Sequence, residues 1–116
     1  MLAQAELVFG MLCAAETNDR MQALQEQAMP LLAAHRDKIR LDDKLFARVK
    51  EVYDRRAALG LDTEQMRLLQ KTYDSFVRAG ALLGTEQKAR LKEINGQLSL
   101  TAVKFGNNIL AENNNF

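Results

Sequence analysis

One histidine, one cysteine and fifteen carboxylates are the side chains of this 116-residue chain best suited to bind metal, attack a carbonyl or move a proton. A helical metal site needs its ligands three or four residues apart, as in H-E-x-x-H or Glu-x-x-His. Around His35 those places hold Leu31, Leu32, Lys38 and Ile39, so His35 reads as structural or solvated. Cys13 lies in "MLCAA" with no histidine nearby to deprotonate it, and it reads as a small buried hydrophobe. The carboxylates are spread over the chain, as expected of solvated charge, and no acid–base pair stands out. The six glycines form no phosphate-cradling loop. "HRDKIR", with Arg55 and Arg56, could touch a phosphate or a carboxylate. Its cations alternate with Asp37, Asp54 and Glu51, so a paired, solvated face is the favoured reading. Tyr73 and Phe76 read as core rather than as a stacking platform. The expectation is no catalytic residue, no cofactor-binding residue and no metal ligand in this chain.

The elements that carry these residues are marked by punctuation. "ETND" offers Thr17 or Asn18 as a helix N-cap, whose side-chain oxygen accepts from an unpaired amide of the first turn. "LDDKLF" offers Asp42 in that role. "GLDTEQM" joins a helix-ending Gly60 to Asp62 as cap, with Gln65 three residues on to complete a capping box. "LLGTEQK" repeats the pattern with Gly84 and Thr85. Helices are predicted near 2–16, 19–38, 43–58, 63–80 and 86–112, and Pro30 should kink or divide the second. Apolar stripes at helical spacing agree. They comprise Leu45, Val49, Val52, Arg56 and Leu59, widened by Phe46 and Tyr53; Met66, Leu69, Tyr73, Phe76 and Gly80; and Leu91, Ile94, Leu98, Phe105 and Ile109. No period-two alternation suggests a strand. The predicted fold is all-α: about five helices in an antiparallel array, forming a single helical body over 1–116.

Composition narrows the function classes. Sixteen Lys and Arg against fifteen Asp and Glu leave a formal charge of +1, which gives no general field for nucleic acid or anionic lipid. No apolar run approaches the roughly 18 residues of a membrane span. The start "MLAQAELVFGMLCAAE" lacks the basic flank of a signal peptide and reads as a helix. A single cysteine excludes an internal disulfide and fits a reducing, cytoplasmic setting.

Residue order says more. The run "TNDRMQALQEQAMPLLAAHRDKIRLDDKLFARVKEVYDRRAALGLDTEQMRLLQKTYDSFVRAGALL" resembles a stretch of the peptidyl-dipeptidase and oligopeptidase group of zinc metallopeptidases, the thimet oligopeptidase family. "AHRDKI", "LFARV", "YDRRAALGLD", "RLLQKTYDSFVRAGA" and "KARLKEINGQLS" carry the likeness, and it continues through "FGNNILAENNNF". "LFARV" and "VRAGA" lean toward the bacterial peptidyl-dipeptidase branch.

The resemblance implies a non-catalytic segment of the N-terminal helical part of a longer enzyme. That enzyme would hold zinc with H-E-x-x-H and a further Glu later in the chain, and would remove C-terminal dipeptides from short peptides. A chain with one histidine cannot build that centre, and no family site residue carries over to Tyr53, Tyr73 or His35. The implied role is a wall of the substrate channel. Its partners would be short peptides and the missing catalytic part of the same chain, with no nucleic acid or membrane. The ending "NILAENNNF" then places Phe116 at the start of a further segment, and uncovered apolar faces imply self-association of the fragment. An oligopeptidase cutting internally is the alternative within the class. A free-standing helical interaction module is the alternative outside it.

Overall fold

The computed structural model describes residues 1–115, and Phe116, read above as opening a further segment, lies outside the described residues. The architecture is all-α, with no strand among the described residues. The helices are α1 (Leu2–Ala15), α2 (Asp19–Arg40), α3 (Asp43–Asp54), α4 (Thr63–Arg78) and α5 (Thr85–Asn115), and a 3-10 turn spans Arg56–Ala58.

Most helix starts follow the predicted chemistry. Asn18, rather than Thr17, caps α2, its Oδ1 accepting from the Met21 amide at 2.9 Å. Asp42 caps α3 by accepting from Leu45 N–H at 2.7 Å. Asp62 and Gln65 complete the capping box of α4 in both directions, at 2.8 and 3.1 Å. The start of α5 differs from expectation. Thr85 is already helical, and the amide of Gly84 before it donates to Gln87 Oε1 at 3.2 Å. A glycine without a capping oxygen is served by a glutamine reaching back.

Helix ends depart further from the sequence reading. α3 stops at Asp54 rather than near 58, and the chain tightens into the 3-10 turn before Gly60 takes a left-handed φ of 60°. α4 ends at Arg78, and Gly80, read above as part of an apolar stripe, is its terminator at φ 99°. Gly80 N–H donates to Val77 O and Ala81 N–H to Phe76 O, both at 3.0 Å. This is a Schellman closure, which consumes carbonyls the last turn would otherwise leave unpaired. Pro30 does not divide α2, which is continuous from Asp19 to Arg40. One missing backbone bond is outweighed by the intact turns on both sides.

The chain forms two compact units. The first comprises Met1–Ala33 with the residues from Asn95 onward, and the second is Ala34–Ile94. The second holds the better core: Leu41, Phe46, Phe76 and Ala81 are buried, with Val49, Tyr73 and Val77 packed against the cluster of Phe46, Phe76 and Ala81. Phe46 meets Phe76 and Tyr73, whereas Tyr53, seven residues on, meets Tyr73 and Gln70. Contacts that ascend α3 therefore descend α4, as in an antiparallel pair. The inner side of α3 is Phe46, Val49 and Tyr53, while Leu45, Val52 and Leu59 of the expected stripe stay exposed.

In the first unit, Val103 is the one buried hydrophobic residue among those described. The predicted α5 stripe is inward only at its start: Leu91 is half-buried beside Gly80, whereas Ile94, Leu98, Phe105 and Ile109 are exposed. Leu100, Val103, Asn107 and Leu110 face inward instead. α1 has no buried residue. Phe9 and Cys13, one turn apart, are half-buried, while Leu7, Val8, Met11 and Leu12 face solvent. A helix apolar on most of its circumference is built for burial on more than one side.

Candidate functional site

Chemistry-bearing side chains are dispersed. His35 is exposed near the C-terminal end of α2. Among the described residues no three His, Cys, Asp or Glu side chains come together as a metal cage would require. The donor set of this segment therefore does not fit the zinc that the resemblance implies for the whole enzyme. Cys13 is half-buried, and burial pushes its thiol above the usual range. At neutral pH it is a thiol rather than the nucleophilic thiolate.

The arginines of the sequence clusters are largely committed to structure. Arg56 lies 4.1 Å from the ring centroid of Tyr53, and its Nη1 donates to the Tyr53 carbonyl at 2.8 Å. Tyr53 stacks on Tyr73 at 4.0 Å and 7°. Tyr73 faces Phe46 at 5.8 Å, and Phe46 faces Phe76 at 6.1 Å. Arg40 closes the series 5.5 Å from the Phe76 ring, and its Nη1 donates to Ser75 Oγ at 2.6 Å. Four aromatic rings thus run through the α3–α4 interface between two guanidinium groups, each attracted by a ring face. The Tyr53 hydroxyl donates to Gln70 Oε1 at 2.8 Å, and Gln70 in turn donates to Asp74. The expectation that Tyr73 and Phe76 are core holds, with both edges of the stack tied by polar groups.

Other charges divide into paired and free. Lys50 Nζ meets Asp54 at 2.5 Å, and that hydrogen bond and charge push the Lys50 ammonium above its usual range. Arg55 meets Glu51 at 3.5 Å, and Arg90 meets Glu93 at 2.6 Å. Lys88 of α5 is nearly buried and donates to Asp43 of α3, a carboxylate that is itself largely in solvent. The pair anchors α5 to the head of α3. Exposure of Asp43 screens the attraction, so the packed Lys88 stem carries much of the contribution.

Concave surfaces remain among the described residues. In the first unit, a cleft of about 530 Å³ runs along Leu7, Phe9, Gly10 and Met11 of α1 toward Gln25 and Met29 of α2. In the second, a groove of about 440 Å³ lies between α3 and α4 over Val49, Val52, Leu68 and Leu69. Another, of about 570 Å³, joins the end of α2 to the start of α3 over Ile39 and Leu45, among basic side chains. None contains a nucleophile beside a base, the minimum for hydrolytic chemistry by side chains alone. No described helix is long and apolar enough to cross a membrane.

Comparison with known proteins gives these surfaces a context. The chain is 41% identical over 113 residues to a dipeptidyl carboxypeptidase of Escherichia coli strain K12, across 97% of this chain and 17% of the relative. It is 41% identical over 111 residues to a dipeptidyl carboxypeptidase of Salmonella typhimurium strain LT2, across 96% of this chain and 16% of the relative. The chain thus spans about a sixth of the length of the curated relatives it matches. No family model matches it.

Proposed function

Because this chain belongs to the peptidyl-dipeptidase and oligopeptidase family, we propose that it is a non-catalytic helical segment of an enzyme that removes C-terminal dipeptides from short peptides. The observation that carries the reading is identity of 41% sustained over 97% of the chain. Likeness of that length concerns a whole run of helices rather than one motif. That both relatives are dipeptidyl carboxypeptidases favours dipeptide release over internal cleavage.

The chemistry of bond cleavage would lie elsewhere in such an enzyme, in a zinc centre this segment has no residues to build. The segment's own residues shape surface. The α3–α4 pair is rigidified by its aromatic stack, and the apolar sides of α1 and α5 await cover. A wall of a peptide channel needs these two properties: a stiff frame, and faces that seat against the remainder of the enzyme. The working compartment on this reading is the cytoplasm, where a half-buried free thiol stays reduced.

The test is hydrolysis. The purified chain, supplied with zinc and an N-blocked pentapeptide, is expected to release no dipeptide above the buffer rate. Metal-dependent release that survives repeated purification would overturn the reading.

A further inference from the structure

The basic groove at the α2–α3 junction is not explained by a role as scaffold. Of the cations in "HRDKIR" and its neighbours, Arg40, Arg55 and Arg56 are engaged with Ser75, Glu51 and the Tyr53 backbone. Arg36 is also partnered. Lys38, Lys44 and Arg48 are different: all three are exposed, line one groove and have no hydrogen-bond or ion-pair partner among the described residues. Lys44 and Arg48 stand one turn apart on α3, Lys38 lies across the groove on α2, and His35 is one turn before it. The carboxylate at the groove, Asp42, has an oxygen committed to the Leu45 amide. Glu51, a turn beyond Arg48, is engaged by Arg55.

Between the cations the floor is aliphatic. Ile39 is 44% exposed and Leu45 is 38% exposed, although the core of the same unit lies close by. We propose that this groove docks an acidic amphipathic helix of a partner protein, its apolar side chains on Ile39 and Leu45 and its carboxylates among Lys38, Lys44 and Arg48. Charge complementarity selects that occupant. Three uncompensated cations around apolar side chains match a helix that carries Glu or Asp beside Leu or Ile at three-to-four spacing. Nucleic acid fits less well: the groove has no Phe, Tyr or Trp face for a base, and its floor is aliphatic. The inference stands on the groove alone and is independent of the peptidase reading.

The probe is a fluorescein-labelled helical peptide with Leu at i and i+4 and Glu at the flanking positions, titrated into the purified chain by fluorescence anisotropy. The same peptide with Gln for Glu, a labelled single-stranded oligonucleotide and anionic phospholipid vesicles form the other arms. Saturable binding by the Glu peptide is expected, at least tenfold weaker for the Gln peptide and at least tenfold weaker in Lys44→Glu/Arg48→Glu. Lys44→Glu falls in the first turn of α3, where it suits the helix dipole, and Arg48 is exposed in the second turn, so circular dichroism should stay unchanged. Lys44→Ala and Arg48→Ala give smaller losses and keep the test valid if the double variant unfolds. Control variant Arg67→Glu on α4 should bind normally. No binding of the Glu peptide, equal binding of the Gln peptide, unchanged affinity in both the charge-reversed and the alanine variants, or preference for oligonucleotide or vesicle would each overturn the proposal.

Discussion

Gly60 and Gly80 show how much a single residue can be asked to do. Both adopt positive φ, a region that costs other L-residues about 1–2 kcal/mol. Around Gly60 there is open space, so Gly60→Ala should cost only that backbone term, about 1 kcal/mol. At Gly80 an added methyl would lie 2.7 Å from Leu91 Cδ2 and 2.9 Å from Leu83 Cδ1. Overpacking of that kind typically adds about 1–3 kcal/mol. Gly80→Ala should therefore lower the urea midpoint at least twice as far as Gly60→Ala, and equal shifts would show that the Leu83–Leu91 contact yields freely. Spacing alone could not assign Gly80 its role, because its place in the apolar stripe and its place as terminator coincide in sequence. The contact that separates them comes from α5.

At the level of elements, the α3–α4 pair carries the aromatic stack, and both of its helices start at a side-chain cap. Tyr73 touches both Tyr53 and Phe46. Tyr73→Leu retains apolar volume but removes both ring contacts, at about 0.5–1.5 kcal/mol each. A loss of about 1–3 kcal/mol in chemical denaturation is expected, with Phe46 and Phe76 still buried. A loss below 0.5 kcal/mol would mean the stack contributes no more than its surface area. The helices and their starts were legible because caps are local: Asp42, Asp62 and Gln65 signal within four residues. The face of α5 was not legible, since Leu98, Phe105 and Ile109 recur as regularly as Leu100, Val103 and Leu110, and only the tertiary partner decides between them. Nor could the sequence sort the arginines. Arg36, Arg40, Arg55 and Arg56 find partners, while Lys38, Lys44 and Arg48 find none among the described residues, because pairing depends on which helices meet.

The whole molecule is short of core. Among the described residues no side chain is fully buried, while Leu7, Met11, Leu68, Leu98 and Phe105 are each more than 60% exposed. Where such residues form a contiguous patch, soluble proteins use it for association. The purified chain should therefore sediment with a concentration-dependent increase in mass between about 10 and 500 µM, reversed by Leu7→Glu with Met11→Glu on α1. A constant monomer mass across that range would contradict it.

The central proposal, that these helices frame a dipeptide-releasing peptidase whose chemistry resides in further residues, rests on the 41% identity sustained over 97% of the chain. Sequencing the natural gene through the codon for Phe116 tests it most directly. The account predicts an open frame that continues to an H-E-x-x-H motif. A stop codon immediately after Phe116, in a gene that begins at Met1, would contradict it.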